Sequence, residues 1–126
     1  MVKFDITKYD VKSPKGLSEA IAAILDNKKG KKITTIDLSD KTVVADYFVI
    51  ASAYSSTAVK ALADAIEEEL DKAGVYPLHR DVDQKWIALD YGSVIVHVFY
   101  KETRDFYNLE RLWSDGDNET TIGGED

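Results

Sequence analysis

Apolar residues recur at Leu17, Ile21, Ile24 and Leu25, a spacing that gathers them on one face of a helix. Lys28, Lys29, Lys31 and Lys32 surround Gly30, the usual chemistry of a helix end. Ile33 to Leu38 and Asp46 to Ser52 read as strands, the second almost wholly apolar, with turn residues Ser39-Asp40-Lys41 between them. Ser55 or Ser56 can cap a second helix, whose stripe is Val59, Leu62, Ala63, Ile66 and Leu70 and whose stop is Gly74. Runs at 75–78, 85–90 and 94–100 look like strands. Thr103 can cap a last helix carrying Phe106, Leu109 and Trp113. The step from the 46–52 strand through the long helix to the next strand predicts a right-handed parallel crossover. The turn Asp90-Tyr91-Gly92-Ser93 predicts an antiparallel hairpin. The outcome is an α/β (α+β) fold with a mixed sheet of about five strands flanked by helices.

The hairpin WIALDYGSVIVHVF, residues 86–99, carries the most information. An even loop centred on its turn sets Leu89 opposite Val94, Ile87 opposite Val96 and Trp86 opposite His97. With period two, one face holds Ile87, Leu89, Val94, Val96 and Val98, all aliphatic and suited to a core. The other holds Trp86, Ala88, Asp90, Ile95, His97 and Phe99. Aromatic rings are costly to expose, and Asp and His are costly to bury unpaired. Such a mixture marks the centre of a protein–protein contact. A helix lying over a half-buried His97 would account for it equally well.

At 126 residues the chain suits one domain able to bury a core without staples. There is no cysteine, hence no disulfide framework and no thiolate chemistry, and His79 and His97 are too few for an all-histidine metal site. No apolar run is long enough to span a bilayer and the start lacks a signal-peptide pattern, so a cytoplasmic protein without membrane contact is expected. The net charge of −7 is uneven: residues 114–126 carry −5, residues 1–16 carry +2, and 17–113 carry −4. That balance argues against DNA and general nucleic-acid binding through a basic face, and fits a basic protein partner. The tail beyond Trp113 is expected to be disordered, having little apolar surface to bury.

Ser52, Ser55 and Ser56 follow a strand but form no nucleophile elbow, and helix capping explains them. No phosphate-binding glycine loop occurs. Asp81-Val82-Asp83 is similar to the aspartate pair that holds magnesium in nucleotidyltransferases, yet no Gly-Ser turn precedes it, and a solvated loop is expected there. Glu67, Glu68 and Glu69 read as a solvated helix face. The lysines at 28–32 could touch RNA or another polyanion, although the helix macrodipole also favours them. No catalytic residue, metal ligand or cofactor site is expected.

Three stretches, DLSDKTVVADYFVIASAYSSTAVKALADAIEEEL, WIALDYGSVIVHVF and ETRDFYNLERLW, together resemble the Iojap (YbeB) family of ribosomal silencing factors. The resemblance covers residues 17–113, leaving 1–16 as a lead-in segment and 114–126 as an acidic tail. It implies a minimal nucleotidyltransferase-like fold without the catalytic aspartates. It also implies binding to the L-fourteen protein of the large ribosomal subunit, which blocks joining of the small subunit and represses translation when nutrients are short. The family's strong positions fall on Trp86, Asp90, Gly92, His97, Tyr107 and Trp113, with Ser93 standing where members commonly carry Asp. Partner contact is therefore expected at Trp86, Ala88, Asp90, Tyr91, Ile95, His97 and Phe99. Two rival readings remain: an enzyme in which Asp37, Asp46, Asp81 and Asp83 converge on a metal, and a homodimeric module that pairs its aromatic face with itself.

Overall fold

The computed structural model describes residues 4–122. Helix α1 (Pro14–Asn27) leads into strands β1 (Lys31–Asp37) and β2 (Tyr47–Ala53), then helix α2 (Ser56–Asp71). Strands β3 (His79–Asp83), β4 (Trp86–Asp90) and β5 (Val94–Tyr100) follow, then the short helices α3 (Lys101–Tyr107) and α4 (Leu109–Trp113) and strand β6 (Glu119–Ile122). They form one six-stranded mixed sheet in the order β3-β4-β5-β2-β1-β6. Among the described residues only the β2–β5 pair is parallel, in register from Tyr47 opposite Val94 to Ala53 opposite Tyr100. The direct parallel partner of β2 is thus β5, while the strand that follows α2 lies at the far edge. Among the described residues no helix is long and apolar enough to cross a membrane.

Two cores lie on opposite sides of the sheet. The larger packs α1 and α2 against Ile33, Val49, Ile87, Leu89, Val94, Val96 and Val98. The smaller gathers Ile36, Leu38, Phe48, Ile50 and Phe99, with Leu109 and Trp113 of α4 packed on it. Both predicted hairpin faces are therefore real: the aliphatic side chains are wholly buried under helices, and the mixed face carries the second, partial layer.

The register differs from the expected one by two residues. Trp86 stands opposite Phe99 and Leu89 opposite Val96, because the chain reverses at Gly92-Ser93. Gly92 holds φ +87, and the Tyr91 N–H donates to the Val94 carbonyl at 2.9 Å. Glycine first in a two-residue turn matches the strand twist, which a turn centred one residue earlier would not. A shift of two preserves every side chain's face, so the face assignment survives the register error.

Several boundaries also move. Ser13 accepts from the Gly16 N–H at 2.9 Å and Pro14 is the first helical residue, so Ser13-Pro14 starts α1 and does not belong to a loose lead-in. Ahead of it a 3-10 turn, Ile6–Lys8, places Ile6 in the core. Chain packs so closely there that a Cβ on Gly16 would lie 2.0 Å from the Asp10 carbonyl oxygen. Residues 75–78 are not a strand; the strand is 79–83, so Asp81 and Asp83 sit on a sheet edge and not in a loop. Thr103 caps nothing, since α3 begins at Lys101. Asn108, with φ +45, breaks the last helix in two and caps α4 through its own side chain. The acidic segment is not structureless over 119–122: β6 pairs antiparallel with β1 from Ile122 opposite Ile33 to Glu119 opposite Ile36. Asn118 anchors it by donating to the Asp37 and Trp113 carbonyls at 2.9 and 3.0 Å. Backbone pairing on an open edge needs little apolar surface, which is why composition misjudged this segment. Residues 123–126 lie outside the described chain.

Candidate interaction face

The mixed face of β4 and β5 is built around an aromatic row. Trp86 lies tilted at 4.8 Å from Phe99 and 4.7 Å from Tyr107, ring centre to ring centre, and His97 lies 4.9 Å from Phe48. Phe48 in turn meets Trp113 edge-on at 5.9 Å. The row crosses the sheet from β4 through β5 to β2 and α4.

Its exposure is graded. Trp86, Ala88, Asp90 and Ile95 are half-buried and share the open part of the face. Phe99 is fully buried and His97 is 8% exposed, so these two support the face from beneath and do not present themselves to a partner. Tyr91 is on the other side altogether. An odd offset from Trp86 turns it towards the α1–α2 core, where its hydroxyl is buried without a hydrogen-bond partner among the described residues and burial pushes its pKa up. Asp90 shapes the turn by accepting from the Gly92 N–H at 2.8 Å.

Local chemistry fixes Trp86 and His97 together. The indole Nε1–H donates to His97 Nδ1 at 3.1 Å, so the imidazole is neutral there and carries its proton on Nε2. That Nε2 is buried without a partner among the described residues. Burial lowers the His97 pKa to about 4, which keeps the ring neutral and able to accept from Trp86.

Arg104 holds the helices that frame the face. It is 2% exposed on α3 and its Nη1 donates to the Lys32 carbonyl at 2.7 Å and to Ser52 Oγ at 2.8 Å. Its Nη2 donates to Thr34 Oγ1 at 3.0 Å and to Glu110 Oε2 of α4 at 3.1 Å. Ser52 is thus an acceptor for a buried guanidinium and not a cap; of the three serines only Ser55 caps α2, through the Ala58 N–H. Nothing in the periodicity marks Arg104, because a buried arginine in a polar helix reads as surface.

With α3–α4 so fixed, Phe106 and Tyr107 stand exposed beside Trp86, and Leu112 is exposed on α4. These were absent from the expected contact set, although the exposed apolar positions of the last helix carried the signal. On the other flank, cross-strand register brings Asp81 beside Ala88, Asp83 beside Trp86 and His79 beside Asp90. The result is an aromatic centre with an acidic border. Asp81 and Asp83 are at the β3 edge, whereas Asp37 and Asp46 flank β1 and β2, three or more strands away. Among the described residues no three acidic or histidine side chains gather as metal ligands.

Comparison with known proteins agrees with this architecture. A family model described as "ribosomal silencing factor during starvation" matches residues 11–125. A ribosomal silencing factor of Bacillus subtilis is 36% identical over 103 residues, which cover 80% of this chain and 87% of the relative. A mouse protein named for mitochondrial assembly of the ribosomal large subunit is 28% identical over 102 residues, covering 76% of this chain and 44% of its own length. A crystal structure of a Chromobacterium violaceum protein superposes with a TM-score of 0.77 at 32% identity, covering 80% of this chain and 86% of that one.

Proposed function

The chain belongs to the ribosomal silencing factor family, and from that premise we propose that it represses translation by seating its aromatic face on the large ribosomal subunit. The partner there is the subunit's L-fourteen protein, and the bound chain bars the small subunit from joining when nutrients are short. It acts by occupying space and not by catalysis, in the cytoplasm.

The observation that carries this reading is the half-buried Trp86 bordered by exposed Phe106 and Tyr107 on one side and by Asp81, Asp83 and Asp90 on the other. Central aromatic anchors supply most of the affinity of a protein contact, and an acidic border suits a basic partner by speeding and orienting its approach. The mouse relative's name places that protein in large-subunit assembly, which supports the same partner here. Within the face, Trp86, Ala88, Asp90 and Ile95 are the contact residues on the sheet; His97 and Phe99 hold Trp86 in place from below.

The test is co-sedimentation with isolated large subunits, followed by light scattering on addition of small subunits. The intact chain should pellet with large subunits and suppress joining. Tyr107→Ala, at an exposed site, should lose both without loss of folding. Binding that survives both Trp86→Ala and Tyr107→Ala would move the contact elsewhere, and sedimentation of the free chain as a dimer through this face would favour self-pairing.

A further inference from the structure

Charge is segregated along the strands. At the end where β1 ends and β2 begins stand Asp37, Asp40 and Asp46, with Asp90 in the neighbouring hairpin. At the opposite end, where α1 runs into β1 and β2 into α2, stand Lys28, Lys29, Lys31 and Lys32, none of them in an ion pair among the described residues. A groove of about 280 Å³ opens between them, walled by Lys28, Lys29, Lys31 and Tyr54 over a floor that includes Ala58 and Leu62. Tyr54 is 53% exposed.

The macrodipole of α1 favours cations in its last turn, but it does not account for the backbone here. Lys29 has φ +66 and Lys32 has φ +47, the left-handed region that glycine enters freely and lysine does not. Gly30 is adjacent, yet the left-handed position closing α1 falls on Lys29, whose neighbour's N–H donates to the Leu25 carbonyl at 2.8 Å. Lys32 forms the irregularity in β1 between Lys31 and Thr34. Three lysines, Lys28, Lys29 and Lys31, thus line one groove with an exposed aromatic ring, and the backbone at Lys29 and Lys32 shapes the turn that carries them. Single-stranded RNA uses both groups at once: lysines for phosphates and a ring on which a base can stack.

We propose that the groove walled by Lys28, Lys29, Lys31 and Tyr54 binds unpaired RNA, with the lysines on the phosphates and Tyr54 stacked against a base. This site lies at the end of the sheet, apart from the Trp86 face, and gives a chain of net charge −7 one local place where a polyanion can approach.

The experiment is fluorescence anisotropy of the full chain with a labelled single-stranded RNA of about twelve nucleotides. No ribosomal protein is present, so this reading and the one above can fail independently. Three phosphate contacts give a salt slope near −2, so raising salt from about 50 to 200 mM should weaken binding roughly 15- to 20-fold. The triple variant Lys28→Gln, Lys29→Gln, Lys31→Gln should bind at least about tenfold more weakly with a nearly flat salt dependence, and the matching triple arginine variant should restore both. Tyr54→Ala should lose roughly fivefold or more. Melting curves establish that each variant is folded, and Lys28→Gln and Lys31→Gln singly replace the triple variant if it is not. Unchanged binding in the glutamine variants overturns the proposal. So does tighter binding of poly-glutamate than of RNA together with an indifferent Tyr54→Ala, which would assign the groove to an acidic protein.

Discussion

Acid should loosen this fold through one side chain. His97 has a pKa of about 4 in the folded chain because it is buried, against about 6.5 when exposed in the unfolded chain. Between these values the unfolded state binds a proton that the folded state does not, so falling pH favours unfolding. The stability that neutral His97 preserves is complete above about pH 6.5 and is lost progressively as pH falls towards 4. Linkage over that shift gives a loss of about 2.5 kcal/mol on going from pH 7.5 to 4.5. For a chain of 126 residues that corresponds to a melting point lower by roughly 8–12 °C. Urea unfolding at both pH values, followed by tryptophan fluorescence, measures it. In His97→Gln the amide can still accept from Trp86 Nε1, and the drop between the two pH values should shrink by the same amount. Each protein serves as its own reference, so a general destabilisation by the substitution does not interfere. A variant whose pH dependence matches the parent within about 0.5 kcal/mol would show that His97 is not the titrating group. Protonated His97 cannot accept the indole N–H. In the folded chain that protonation begins only near pH 4, so affinity for the large subunit should hold down to about pH 5 and fall as pH approaches 4.

Arg104→Met strands the Glu110 carboxylate and the oxygens of Lys31, Lys32, Thr34 and Ser52 that now share a guanidinium, and should cost roughly 3–5 kcal/mol by thermal or urea unfolding; a loss under about 1 kcal/mol would mean those bonds are weakly made. Trp86→Ala should weaken large-subunit binding by about 30- to 1,000-fold, whereas Val96→Ala, at a site with no exposure, should chiefly lower the melting point; the reverse pattern would invert the two faces. Ending the chain at Ser114 removes β6 and the Asn118 anchor and should cost roughly 2 kcal/mol, an unchanged melting curve being the contrary result. The double variant Asp81→Ala, Asp83→Ala should leave stability within about 0.5 kcal/mol and slow subunit association, with no response of either protein to magnesium; a magnesium-dependent melting shift in the parent alone would reopen metal chemistry.

Where a pattern depends on one strand's own alternation, reading the chain was enough: Ile87, Leu89, Val94, Val96 and Val98 are all buried on one side. The hairpin register failed because it depends on which residue takes positive φ, and Gly92 rather than Tyr91 begins the reversal. Helix α1 starts earlier than its apolar stripe because Ser13-Pro14, which also suits a loop, is here a cap followed by a favoured first residue. Partial coverage was beyond reach: Phe99 and His97 look like Trp86 in sequence, and only the placement of α3–α4 hides the first two and leaves the third half-open. Long-range polar contacts left no periodic trace, which is why Arg104 and the pairing of β6 with β1 went unseen.

The Arg104 bonds have a consequence for the order in which the face comes into being during synthesis. Trp86 and the rest of the hairpin emerge before Tyr107, and the guanidinium at 104 must find Thr34 and Ser52, made long before it. Its partner Glu110 emerges later still. A nascent chain therefore carries an indole without its framing helices, and acquires the finished surface only when the segment through α4 has folded back onto strands already in place.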